Sequence, residues 1–450
     1  MFTQLRRLAL LLVAAALPVF FCSTAGARAT GKLLPIVFVH GNGDTAGLWI
    51  TTIWRFESNG YPAKLLDAVD FQYPLARRVE DTPQPGYSSA AEEMHQLADE
   101  VKAVRQRTGA DKVILVAQSR GGNIVRDYLK NGGGAAFVSA AVLCGAVNHG
   151  VLVSDKILVG SEFNGASPFM RDLNSTPGEI VAGVRFLTIR STNNDKFAQP
   201  DGRYFGLPHV ATHVGYMGPA LAGATNVALD GVDHRETGYS PQAFAVMYQF
   251  ITGHAPKTLD VTPEPHPILS GKISGFEGMA QTNIGVAGAG LTIYPVSPTT
   301  GERLGPPVLH VTTGADGHWG PLAAAPDAYY EFVVAVPGEP VTHIYRSPFP
   351  RSSRYVDLRP QPFGKTDRAA GAVVYMSRPR GYFGINRDVI LLDGKLPAGI
   401  PPGVPSVSSV AIDLPASPQQ SVLGVFNQEG ITALTWPVKD NQVSVIELTY

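Results

Sequence analysis

Short apolar runs alternate with helix-period segments from Pro35 to about Gly253, the pattern of a mostly parallel sheet covered on both faces. Ile36-Val37-Phe38-Val39 has no polar interruption and reads as a buried strand. Ser89 opens a helix: Glu92 completes a capping box, Met94, Leu97, Val101 and Val104 fall on one face, and Gly109 ends it. Val113–Val116 is the next strand and Asn123–Lys130 the next helix, closed by Asn131 and the glycines after it. Strands are predicted again at 138–143, 184–189 and 226–229, and a last helix runs from Ser240 as N-cap and Pro241 to Gly253. The fold class of this unit is α/β, a doubly wound, mostly parallel sheet.

Beyond Gly253 the texture changes. Residues 256–450 hold 24 of the 36 prolines, and short β-prone runs such as 290–294, 329–334 and 443–448 replace helical periodicity. An all-β, sandwich-like C-terminal region is expected. The division that follows is 1–29, 30–253, a proline-rich linker at 254–267, a β-sandwich at 268–364, and a second β-rich subdomain at 365–450. In the second half, Ala315-Asp316-Gly317-His318-Trp319-Gly320 resembles the turn of transthyretin-like and carboxypeptidase-regulatory sandwiches.

Composition narrows the classes. Lys and Arg number 36 against 37 Asp and Glu, so no field gathers polyanions and no nucleic-acid partner is expected. Hydrophobic residues make 44% of the chain and charged ones only 16%, enough for large cores and against global disorder. The first residues order a basic pair, Arg6-Arg7, an apolar run to about Phe21 and small residues at Ala25, Ala27 and Ala29. That is the layout of an export signal, by either the general or the twin-arginine route, so the protein is expected to be secreted. Its removal leaves Cys144 alone and no intrachain disulfide. A monomer is expected.

Candidate chemistry sits where strand meets helix. In Val116-Ala117-Gln118-Ser119-Arg120-Gly121-Gly122, small residues two before and two after Ser119 let strand and helix cross closely, so that a strained turn lifts the serine hydroxyl above the sheet. Ser119 is the candidate nucleophile. On such an elbow an oxyanion hole is made by the N–H after the serine and by one in the loop after an earlier strand, which points to Arg120 and, in His40-Gly41-Asn42-Gly43-Asp44, to Asn42. His40 is read as shaping that loop, with general base as its alternative. The base belongs before the last helix, where Asp233-His234 stands; His209, His213 and His254 are the alternatives to His234. The acid belongs after the strand at 184–189, and Asp195 is the first carboxylate there, ahead of Asp155, Asp172 and Asp201 as substitutes. No metal or other cofactor is called for by this chemistry.

These motifs, with Asn148-His149-Gly150 and Asn194-Asp195, resemble those of the secreted α/β-hydrolase lipases and esterases, the class 2-type triacylglycerol lipases in particular, over about residues 33–253. The alanine opening the elbow is similar to that of the smallest secreted bacterial lipases, and a hydrolase followed by a β-rich region resembles an archaeal carboxyl-ester lipase. The resemblance implies hydrolysis of lipid or other hydrophobic carboxylic esters through an acyl-enzyme. It also implies a variable segment over the site, 150–183, with Phe163, Phe169 and Met170 as acyl-chain contacts. Two residues depart from the family's pattern: Gln118 before the nucleophile, and Arg120 after it, which puts a cation beside the acyl site. A polyester depolymerase with the β half as its adsorption surface is the alternative enzyme, and a non-catalytic binding scaffold the alternative outside enzymology. The hydrolase unit is expected to be catalytically self-sufficient.

Overall fold

The computed structural model describes residues 33–416 and 419–450, and the segment read as an export signal lies outside them. Residues 34–450 form one compact unit. Its first layer is a six-stranded parallel sheet of β1 (Ile36–Val39), β2 (Leu66–Val69), β3 (Val113–Gln118), β4 (Val138–Cys144), β5 (Arg185–Ser191) and β6 (Thr225–Leu229), in the order β2-β1-β3-β4-β5-β6. This is the α/β-hydrolase arrangement, with a buried apolar cluster on each face of the sheet. The central strands β1 and β3 are buried throughout because both faces are covered, which is why they are continuous apolar runs.

Five helices matter for the site: α1 (Ile50–Ser58), α2 (Ala90–Thr108), α3 (Arg120–Lys130), α4 (Pro168–Leu173) and α5 (Pro241–Thr252). The capping box of α2 is formed from both sides, the Ser89 hydroxyl accepting from the Glu92 N–H and the Glu92 carboxylate accepting from the Ser89 N–H. Helix α3 starts at Arg120, three residues before the sequence pattern suggests. Its first turn is built of small residues that a hydrophobic period does not mark, and they are small because it crosses the sheet closely. A Cβ on Gly121 would stand 2.5 Å from the His40 carbonyl oxygen, and one on Gly122 2.4 Å from the Ala146 Cβ.

The C-terminal half is all strands, apart from short turns. A seven-stranded sheet contains β7 (Gly290–Val296), β8 (Leu309–Thr312), β9 (Tyr329–Ala335), β10 (Val341–Arg346), β11 (Ala372–Ser377), β12 (Ser409–Leu414) and β13 (Gln442–Glu447), in the order β8-β7-β9-β10-β13-β11-β12. The last strand pairs parallel with both β10 and β11. The sheet therefore runs straight across residue 364, and the two subdomains expected on either side of it share one sheet instead of standing apart.

The two halves also share a core. Ile50 and Trp54 on α1 are buried with Leu269, Ile273, Trp319, Phe332 and Phe349 of the β half, while Ile53 and Phe56 of the same helix face the hydrolase core. A helix buried on both sides has no face left for water. The Trp54 indole donates to the Ser352 carbonyl (2.8 Å), and the Asn283 amide donates to the carbonyls of Asp44 (2.9 Å) and Phe71 (3.0 Å). The proline-rich segment after Gly253 is tied down as well: the Asn59 Oδ1 accepts from the N–H groups of Lys257 (2.6 Å) and Thr258 (3.1 Å). Trp319 is part of the shared core.

Candidate active site

Strand β3 delivers Ser119 to the end of the sheet, and the chain turns into α3 with Ser119 at φ 53°, ψ −124°. A side-chain-bearing residue at positive φ is strained, and the neighbours hold it there. A Cβ on Gly41 would come within 2.9 Å of the Ser119 Cβ, so the loop after β1 can pass the serine only as glycine. That loop is pinned from outside: the Gly43 N–H donates to the Pro74 carbonyl (2.9 Å), and the Asn42 side-chain oxygen accepts from the Ala76 N–H (2.7 Å). Among the described residues the backbone N–H groups of Asn42 and Arg120 donate to no protein acceptor. Arg120 is the first residue of its helix, where the N–H groups point at the site by construction.

His40 is fully buried and its Nε2 accepts from the Phe71 N–H (3.1 Å), which leaves Nδ1 as the protonated nitrogen, facing the Gly41 carbonyl (2.9 Å). Burial pushes its pKa down. It is a neutral support for the loop, away from the cavity that contains Ser119.

His234 and Asp195 meet across the ends of β5 and β6. The His234 Nδ1 lies 2.8 Å from the Asp195 Oδ1, both side chains are 2% exposed, and neither imidazole nitrogen has an aligned hydrogen-bond partner among the described residues. The Asp195 Oδ1 also accepts from the Phe197 N–H (2.8 Å), and the Phe197 ring packs edge-on against the imidazole at 4.7 Å. The backbone of His234 is held by Gln118, whose amide donates to the His234 carbonyl at 3.1 Å. This is what the unusual residue before the serine does. Ser119 and His234 line one cavity of about 190 Å³ together with Asn42, Asp44, Gln118 and Arg235. The rest of its wall is apolar: Val147, Val151, Leu158, Phe163, Phe197, Phe205 and the ring of Tyr382.

Several expectations change here. Phe163 lines the cavity, but Phe169 and Met170 do not. Helix α4 turns Met170 inward, where it is fully buried with its sulfur 3.7 Å from the Asn123 amide, and Phe169 packs on the sheet's core. The Arg120 guanidinium is not beside the acyl site either. It points away, fully buried, into Glu162 (2.8 Å) and Glu93 and onto the carbonyls of Ser88 (2.9 Å) and Pro74 (3.3 Å). Burial pushes both carboxyls up, Glu93 to about 8, so the buried cluster balances the cation within itself, and only the N–H of the residue faces the serine. Asp155, Asp172 and Asp201 have partners elsewhere.

The β half supplies part of the site, which the sequence reading missed. Asp233, next to His234, is fully buried; its Oδ2 accepts from the Tyr382 N–H (2.8 Å), Arg378 (3.0 Å) and Arg387 (3.4 Å). Its Oδ1 accepts from the N–H groups of Arg235 (2.9 Å) and Glu236 (3.0 Å). Burial alone would raise its pKa, but Arg378, Arg387 and the N–H donors outweigh this and hold it below the usual carboxylate range. Arg378 and Arg387 also grip Glu236 at 2.5 and 2.7 Å. Arg235, paired to Asp44 at 2.6 Å, stacks on Tyr382. Lys196, next to Asp195, donates to the Ser406 carbonyl (2.9 Å) and lies over the Tyr382 ring; burial first, then Arg235, brings its pKa down to about 8. The density of arginine at 378, 380 and 387 in a chain poor in charge is the one signal that could have drawn attention to this segment.

Comparison with known proteins follows the same division. Residues 33–199 match the family described as Lipase (class 2), and residues 268–363 the family described as Lipase C-terminal domain. No curated protein matches the chain. Among solved structures it is similar to Aspergillus fumigatus lipase B, at 19% identity and TM-score 0.35 over 50% of this chain and 54% of that one. It is also similar to Bacillus licheniformis lipase BlEst2, at 21% identity and TM-score 0.36 for the mature form, over 49% of this chain and 92% of that one. For the propeptide form the values are 18% and 0.37, over 68% of this chain and 72% of that one. The chain thus spans about half the length of the Aspergillus lipase.

Proposed function

We propose that this chain, whose residues 33–199 match the class 2 lipases and residues 268–363 the lipase C-terminal domains, is a carboxylic ester hydrolase acting on lipid esters and works through a Ser119-His234-Asp195 triad and an acyl-enzyme. Ser119 attacks the ester carbonyl while the His234 Nε2 takes its proton. Asp195 orients the imidazole through Nδ1 and stabilises the imidazolium. The N–H groups of Asn42 and Arg120 bind the oxyanion, and His234 then returns the proton to the leaving alcohol. Water, activated by the same histidine, releases the acid. The observation that carries this reading is a serine held at φ 53° in one cavity with a histidine whose other nitrogen meets a buried carboxylate at 2.8 Å.

The cavity also suggests the substrate. Its volume of about 190 Å³ is below the ordinary range of small-molecule sites, and its wall is apolar, which favours a short to medium acyl chain. The test is a series of esters of increasing acyl length assayed on wild type and Ser119→Ala. The reading expects an optimum at short to medium chains and no turnover in the variant; residual turnover at a tenth of wild type removes Ser119 from the role. Secretion belongs to the same proposal, and sequencing the N-terminus of the protein recovered from the medium tests it: a start near residue 28 or 30 is expected.

A further inference from the structure

A second cavity, of about 480 Å³, lies between the catalytic unit and the β half and shares Asp44 and Arg235 with the cavity around Ser119. Four guanidinium groups line it, those of Arg235, Arg346, Arg359 and Arg380, against the carboxylates of Asp44, Asp357 and Glu447. Arg235 is paired to Asp44 (2.6 Å) and Arg346 to Glu447 (2.7 Å). Arg380 donates to the carbonyls of Thr449, Leu448 and Gly47, and Arg359 to Gln281, Thr282 and Asn283, so neither is in contact with a carboxylate. Burial first, and then Asp70, push the Asp357 carboxyl up to about 7, which weakens the third negative charge. The wall carries excess positive charge.

Its donors are also incompletely used. Arg346 is 1% exposed, yet its Nε and Nη2 have no partner among the described residues, and the Nε of Arg359 has none either. Buried N–H groups of a cation left unpaired are costly, and native proteins rarely keep them without a ligand or solvent to accept from them. Water could accept these hydrogens but would not neutralise the charge. Leu48, Ile50, Phe276, Ile344 and Val445 line the same cavity and give it apolar surface that a bare inorganic ion would leave uncovered.

We propose that this cavity is a binding site for a carboxylate with a short aliphatic tail, its oxygens accepting from Arg346 and Arg359 and its tail lying on the apolar surface. The guanidinium fork suits a carboxylate's two oxygens. The volume is that of an ordinary small-molecule site. A free carboxylate of the medium and the acid released by ester cleavage share this chemistry; the second source rests on the function proposed above, while the binding itself does not.

The experiment is calorimetric titration of the full chain with butyrate, after Ser119 has been capped by an alkyl phosphonate so that the catalytic cavity is filled. One saturable site is expected in the capped protein. Arg346→Met and Arg359→Met should each weaken it at least tenfold while leaving kcat of the uncapped enzyme on a soluble ester within twofold. Absence of binding to the capped protein, or undiminished binding in Arg359→Met, overturns the proposal. Arg359 carries the test if Arg346→Met fails to fold once Glu447 has lost its partner. Sulfate binding as tightly as butyrate at equal ionic strength overturns the carboxylate assignment in favour of a general oxyanion site. Intact mass reads the capping separately: a chain that does not take the phosphonate refutes the nucleophile and leaves the titration to be done on Ser119→Ala.

Discussion

Replacing Arg378 by methionine keeps an apolar stem and removes the cation that joins the β half to Asp233, the residue before His234. Arg378 donates to Asp233 (3.0 Å), Glu236 (2.5 Å), the Tyr239 hydroxyl (2.8 Å) and the Tyr382 carbonyl (2.8 Å). Breaking a buried pair by deleting one partner costs ~3–5 kcal/mol. Because Asp233 keeps Arg387 and three N–H donors, the lower end, about 3 kcal/mol, is expected. With an unfolding entropy of ~2.1 cal/mol/K per residue, 450 residues lose about 1 °C per kcal/mol, so the thermal midpoint should fall by about 3 °C. The catalytic effect should be larger in proportion. His234 follows Asp233 directly, and a displacement of about 1 Å at a reacting group costs on the order of 100-fold. Steady-state kinetics on a soluble short-chain ester should show kcat reduced by ~10–100-fold with KM little changed, since no acyl contact is lost. Acid sensitivity gives a second readout. A carboxylate held below its ordinary range stabilises the fold above ~pH 4, and that contribution is lost as pH falls through the folded value. Without Arg378 that value rises, and acid unfolding should begin at a higher pH. Wild-type kcat with an unchanged acid transition would refute the clamp.

Ser119→Ala should lower kcat by at least ~10⁴-fold while leaving the thermal midpoint unchanged, because it deletes one oxygen from an already strained turn. Residues 30–255 expressed alone should be insoluble or inactive, since Ile50 and Trp54 lose their cover and Asp233 its arginines; a soluble fragment with kcat within about tenfold of the whole chain would restore the independence expected from sequence. Tyr382→Ala should widen the catalytic cavity and raise kcat/KM for octanoyl over butyryl esters by about tenfold, measured in parallel assays; an unchanged ratio removes Tyr382 from the acyl wall. For Lys196, whose folded pKa is lowered to about 8, the unfolded chain binds more protons between pH 8 and ~10.4, so stability should rise with pH across that window. Midpoints from pH 7.5 to 9.5 should climb relative to Lys196→Met, and parallel curves would contradict the burial argument.

What could be read from the sequence was local. The strand-to-helix elbow at Ser119, the capping box at Ser89 and the strands at 36–39 and 113–116 each depend on neighbours within a few residues. Topological order then brought Asp195 and His234 to the same place. Strand β2 was invisible, because Leu66-Asp67-Ala68-Val69 is short and carries an aspartate whose partners, Arg107 and Arg354, lie 40 and 287 residues away. The direction of Arg120 was equally hidden: it is set by Glu93 and Glu162, which only the folded chain brings together. Met170 went astray because a six-residue helix has too few turns to reveal which face is inward. Tyr382 and its arginines act across about 150 residues, beyond the reach of any periodicity.

The parallel insertion of β13 between β10 and β11 sets an order of events for a chain made from its N-terminus. Until residues 442–447 have emerged, β10 and β11 have an open slot between them, and the carbonyls of Leu448, Thr449 and Tyr450 that fix Arg380 and Arg378 do not yet exist. The clamp beside His234 therefore depends on residues 442–450 as well as on Arg378 and Arg387. A variant cut after residue 440 keeps Ser119, Asp195 and His234 but loses the carbonyls that hold Arg378 and Arg380, so that its ester turnover reads whether this strand has taken its place.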